Sequence, residues 1–341
     1  MILRPKPSPR HYATLAGAPS TAPIATVPVW LRRATPDAQS LARKEIEDLA
    51  HTAGATIGAL DAVVRRQERW AGAWRQRLAL AAAAATAKQA GRVEDESALR
   101  DAVLLTRPGD FLSVGPAGLL LLAWRRLAVR PAEDLLTERN LAAVLEEFGY
   151  APDDDVVGDL ADELRQLSAG TGAVGMLTGA FMAAERYGFG RAVGAWLADA
   201  LLAQRLGWAH AVPLLGAEGT LAVGSARTRR SATVFPATGI EIESYRAKNP
   251  LAAQARAALR AIDLFTELER RAEKLLAVAP KLRAKAADAV VEKLLSDDAI
   301  VASENIAGMS DRGLRRLFDR LVELGAVREL SGRPTFRIYG L

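Results

Sequence analysis

Arg312, Arg315 and Arg316 lie at i, i+3 and i+4 in the stretch GMSDRGLRRLFDRLVELGAVRELSGRPTFRIYGL, from Gly308 to Leu341, and Arg333 follows further on. A guanidinium is a planar fork of N–H donors that fits a phosphate or the O6/N7 edge of guanine. Three such forks at this spacing share one side of a helix. The chemistry on offer is the binding of a polyanion, and no proton transfer or nucleophile is needed for it.

The elements that must position these arginines are legible around them. Ser310 suits a helix N-cap and Asp311 the first turn. Leu314, Leu317, Phe318, Leu321 and Leu324 form one apolar stripe, so Arg312, Arg315 and Arg316 are turned outward. Gly325 ends the helix. AVREL then reads as a strand, SGRP as a tight turn with Arg333 at its tip, and TFRIYGL as a second strand. With helices expected over 282–296 and 299–307, residues 282–341 predict a winged helix-turn-helix. Its outward helix would enter a major groove and its hairpin would touch the backbone or an adjacent groove. Acids nearly balance bases across this stretch, which keeps open a protein-docking or dimerisation role.

Before it, the pattern is helical almost throughout. Residues 36–206 read as a bundle of antiparallel helices joined by short turns, with Gly91, Gly149 and Gly207 as stops. The fold class expected is mainly α, a helical bundle body with the winged helix at its end. Residues 1–35 are rich in proline and basic, and read as an extended or disordered arm whose Arg4, Lys6, Arg10, Arg32 and Arg33 could reach phosphates. Residues 207–248 read as loops with a hairpin, carrying Arg227, Arg229 and Arg230 as a secondary basic contact. Asn249-Pro250 looks like an N-cap with proline at the first helical position, opening a long helix over 249–281.

The rest of the sequence supplies little chemistry. The absence of cysteine excludes disulfides, thiol nucleophiles and cysteine-held metals. His11, His51 and His210 are too far apart for a metal-ligand spacing, and no P-loop or Gly-x-Ser-x-Gly elbow occurs. Neither a cofactor nor a metal is implied. The densest polar cluster, GRVEDESALRDA, holds Arg92, Glu94, Asp95, Glu96, Arg100 and Asp101. Glu96 and Arg100 are expected to pair there, as a solvated helix start with ion pairs; the alternative is a charged pocket shared with Arg125 or Arg126. Trp70, Trp74, Trp124, Trp196 and Trp208 sit at apolar helical positions and read as core. A formal charge of +5 is compatible with a nucleic-acid partner without demanding one. No stretch is apolar enough for a secretory core or a membrane span, so the expected location is cytoplasmic.

The segment SDRGLRRLFDRLVELGAVRELSGRPTFRIYGL resembles the winged helix at the end of many bacterial Fic-type proteins, whose signature loop is absent here, so nucleotide transfer is not implied. Segments such as WAGAWRQRLALAAAAATAKQAGRVEDESALRDAVLL, GPAGLLLLAWRRLA and AWLADALLAQRLGWAHAVPLL make most of the chain resemble an uncharacterised alphaproteobacterial family, which implies no activity. The sequence thus predicts a protein that binds duplex DNA through Arg312, Arg315, Arg316 and Arg333, as a transcriptional regulator or DNA-maintenance factor. The alternative is a scaffold that docks a protein or a second copy of itself. An enzyme centred on Glu94–Asp101 has no recognisable catalytic motif behind it.

Overall fold

In the computed structural model, which describes residues 27–37, 40–41, 43–106, 113–218, 239–282, 284, 286–333 and 335–341, the chain is mainly helical with one small sheet. The alanines explain its centre. Helix α3 (Ala71–Gln89) touches α5 (Gly115–Val129), α10 (Gly239–Val278), α11 (Ala287–Ser296) and a 3-10 turn at Leu215–Ala217. A helix with neighbours on several sides needs short side chains for close approach. Accordingly Ala79, Ala82, Ala83 and Ala87 are buried, with Trp74 and Leu80 filling the wider gaps. Gly216 is forced: a methyl there would meet the Trp124 ring and the Ala82 side chain. Trp124, Trp74 and Trp196 are fully buried and donate their indole N–H to Thr86 Oγ1 (3.1 Å), Ala261 O (2.8 Å) and Ala123 O (3.0 Å). Apolar rings with one polar handle usually settle in a core with that handle bonded; Trp70, also buried, has its Nε1 without a partner.

Helix α2 (Ile46–Val64) runs along α10, and α4 (Glu96–Leu104) covers α5 and α3. Helices α6 (Glu138–Glu147), α7 (Asp154–Gly170), α8 (Ala173–Arg186) and α9 (Arg191–Leu206) complete the body, each packing on its predecessor. Gly91, Gly149 and Gly207 have φ of 73°, 88° and 64°, the left-handed stop the sequence anticipates.

Several expectations are corrected. Residues 29–34 are not an extended arm: they form α1 (Val29–Ala34), with Leu31 buried on α2 and Arg32 forked onto Asp263 at 3.1 and 2.6 Å. The expected hairpin over 207–248 is absent where the chain is described; 239–248 is already helix, including IEI. Asn249 is therefore no N-cap, and Pro250 lies inside α10, where it removes one backbone donor. Tertiary packing overrides that local signal, because Ala247, Leu251, Ala255 and Ala258 are all buried. Arg227, Arg229 and Arg230, like residues 1–26, lie outside the described residues.

The C-terminal segment departs from expectation in one element. Residues 299–307 do not form a helix. Ile300 and Val301, both β-branched and buried, form strand β1 and are followed by turns. Helix α12 (Asp311–Glu323) then leads into β2 (Arg328–Glu329) and β3 (Ile338–Gly340). The sheet order is β1-β3-β2, all antiparallel, with Ile300 opposite Tyr339 and Glu329 opposite Tyr339 on the other edge. Ser310 caps α12 through Gly313 N at 3.2 Å. Leu314, Leu317, Phe318 and Leu321 are buried, while Leu324, assigned to the same stripe, is 40% exposed because it lies beyond the last turn.

Candidate nucleic-acid interface

The apolar stripe of α12 fixes what its other side shows. Arg312, Arg315 and Arg316 are exposed and form no ion pair among the described residues. Arg320 on the same helix is paired with Glu323 at 3.0 Å, and Asp311 and Asp319 add negative charge nearby. Arg316 and Arg320, with Lys281 from the turn after α10, border a cleft of about 450 Å³ floored by Leu317 and Leu324. The structure thus brings three of the four predicted arginines onto one open helical face. Arg333 is elsewhere: it forms an ion pair with Asp101 of α4, on the helical body, while remaining about half exposed. The turn between the two strands therefore leans on the body.

A second charged feature holds this segment in place, and sequence reasoning did not find it. Asp298, between α11 and β1, is completely buried and receives Arg100 Nε at 2.6 Å and Arg77 Nε. Burial alone would raise the pKa of Asp298, but Arg77 and then Arg100 outweigh it and hold the carboxyl below its ordinary value. Arg125 stands close by, its Nε buried without a partner, and burial lowers its own pKa. Arg77 also reaches the carbonyls of Asp298 (3.3 Å) and Leu341 (3.5 Å), and Arg271 reaches Leu341 O at 3.2 Å. Gly72 completes the joint, since a methyl there would come within 2.7 Å of Ser296 O.

This geometry corrects the polar cluster as well. Arg100 does not bond Glu96; it turns inward to Asp298, and Arg126 pairs with Glu147. Helical spacing shows which neighbours are near along the chain and cannot show a carboxylate two hundred positions away. Asp95 instead caps α4 through Ala98 N at 2.9 Å. Among the described residues no group of His, Asp or Glu is arranged to hold a metal ion, and no helix is long and apolar enough to cross a membrane.

Fold and site together define a mainly helical protein whose C-terminal helix–sheet segment presents a basic face and is clamped to the body by a buried aspartate. The family described as Protein of unknown function (DUF1403) matches residues 18–341, and the chain belongs to that family. No curated protein and no solved structure matches the chain, and the resemblance to the Fic-type C-terminus found no support.

Proposed function

We propose that this protein binds duplex DNA through α12, with residues 287–341 acting as a winged-helix variant in which turns replace the middle helix. The observation that carries the reading is the face of Arg312, Arg315 and Arg316: three guanidiniums, unpaired among the described residues, on a helix whose opposite side is buried. A helix of this kind fits a major groove about 12 Å wide, and its arginines suit guanine edges or phosphates. The order helix, strand, helix, hairpin and the central position of β3 also support it. Regulation of transcription and DNA maintenance both follow from such binding.

The test is fluorescence titration of a short random duplex at several salt concentrations. The native chain is expected to bind with an affinity that falls as salt rises. Arg312→Ala, Arg315→Ala and Arg316→Ala combined should lower the salt slope by about 0.9 for each phosphate that is no longer neutralised. An arginine that reads a base should cost about 1–3 kcal/mol at one sequence position. An unchanged affinity and slope in a folded triple variant rejects the proposal.

Arg333 joins the duplex only by exchanging Asp101 for a phosphate. Asp101→Asn is accordingly expected to raise affinity and steepen the slope by about one; a slope unaltered by that change removes Arg333 from the interface.

A docking role is favoured by one observation. Phe336, in the connection between β2 and β3, is 65% exposed with a left-handed φ of 54°. In that reading Phe336→Ser, and not the arginine changes, alters the oligomeric state measured by sedimentation.

A further inference from the structure

The turn between α2 and α3 and the segment 207–210 enclose a cleft of about 400 Å³, the size that small organic ligands occupy. Its charges do not balance. Half-buried Arg75 donates Nε to the carbonyl of Ala128 at 2.9 Å, but among the described residues nothing accepts from its two Nη nitrogens and no carboxylate faces it. Burial pushes this guanidinium down to about 10, so it remains charged at neutral pH. The cleft's other ionic groups have partners: Arg65 pairs with Asp61 at 2.7 Å, Arg69 with Glu292, and Glu68 with Arg66 at 2.8 Å. A partly desolvated cation left without a counter-ion is unfavourable unless an anion joins it.

The neighbours set the surroundings of that anion. His210 is half-buried beside Arg75; burial first, and then the charge of Arg75, lower its pKa and favour a neutral imidazole that can hydrogen-bond without adding charge. The floor is aromatic, from Trp74, Trp208 and Phe265. These rings are already packed, at 1%, 4% and 1% exposed, and both indole N–H groups are bonded, Trp74 to Ala261 O and Trp208 to Asp61 Oδ1, each at 2.8 Å, so the wall they form supplies no hydrogen bond and no counter-charge. At the rim, Gln67 is held in the left-handed region at φ 48° with its side chain exposed. Non-glycine residues keep such backbones only where their surroundings impose them, and they cluster at ligand sites.

We propose that this cleft binds a small carboxylate, forked onto the Nη nitrogens of Arg75 beside His210. Bidentate pairing with a planar carboxylate is what a guanidinium with two free nitrogens does best. Ser296, the last residue of α11, forms part of the same wall, so the occupant touches the joint with the C-terminal segment.

The experiment uses the full chain without DNA, so its result is separate from that of the duplex titration. Tryptophan fluorescence and thermal shift are followed with benzoate, 1-naphthoate and indole-3-acetate, against inorganic phosphate and the neutral 1-naphthalenemethanol. At least one carboxylate is expected to saturate with a Kd on the order of 1 mM or tighter. Arg75→Gln should weaken it at least about ten-fold, a change equivalent to roughly 1.4 kcal/mol. Should that variant unfold, Arg75→Lys keeps the charge and loses the fork, and is expected to weaken binding several-fold in a protein with native circular dichroism. Three outcomes overturn the proposal: no carboxylate saturates, phosphate or the neutral alcohol binds as well as 1-naphthoate, or the folded Arg75 variant binds as tightly as the native chain.

Discussion

Asp298→Asn is expected to loosen the C-terminal segment from the helical body at a cost of about 3–5 kcal/mol, the range for removing one partner of a buried ion pair. The carboxylate is fully buried and meets Arg77 and Arg100, whose side chains are 14% and 9% exposed. Asparagine keeps the shape and removes the charge, so two guanidiniums, with Arg125 beside them, are left facing one another without compensation. Hydrogen exchange should accelerate across 298–341 and much less in α3 and α9. Acid should imitate the substitution. The pKa of Asp298 is depressed in the folded protein, so its contribution is complete above the unfolded value of about 3.9 and is lost as pH falls through the folded value. Native protein in that acidic range is expected to exchange as the variant does at neutral pH. Equal exchange in both proteins at neutral pH would mean that the segment is held by its apolar contacts alone.

Phe318→Ala is expected to cost about 3–5 kcal/mol, and the damage should stay in the C-terminal segment. The ring is fully buried and stacks on Tyr339 with centroids 4.3 Å apart and planes 7° from parallel. Truncation removes the filling of the space between α12 and β3 together with that stacking. Far-ultraviolet circular dichroism should change little, because α12 is a small share of the helix. Proteolysis after Arg312, Arg315 or Arg316 should become fast. Phe318→Leu keeps most of the volume and is expected to cost less than about 1.5 kcal/mol. Trypsin sensitivity unchanged in Phe318→Ala would show that β3 and α12 do not depend on each other.

The helices were legible because their determinants are local. Gly91, Gly149 and Gly207 stop them where the sequence places the stops, and the Leu314–Leu317–Phe318–Leu321 stripe is buried as its spacing requires. Sequence and structure part where a local signal is overruled from a distance. Asn249-Pro250 has the chemistry of a helix start, yet burial along α2 carries the helix through it. Ile300 and Val301 become a strand because Tyr339 and Ile338 arrive beside them. The open arginine face could be read from periodicity alone. The pairing of Arg333 with Asp101, the cage around Asp298 and the meeting of Arg75 with His210 join residues more than a hundred positions apart, which no spacing rule reaches.

The strand order has a consequence for synthesis. Of the three strands, the one translated last, β3, is the middle one. A growing chain therefore presents β1 and β2 with no partner, and Phe318 with no ring to stack on, until Ile338–Gly340 emerge. Most of the helical body meets a shorter wait, since the contacts among α3 to α9 are made before α10 arrives to cover α2. The nascent protein thus has a folded trunk carrying an unfinished tip with bare strand edges, a state prone to pairing with other chains. The same order makes Ile338–Gly340 the least dispensable part of the sheet: losing them removes its centre and leaves two edges that do not touch.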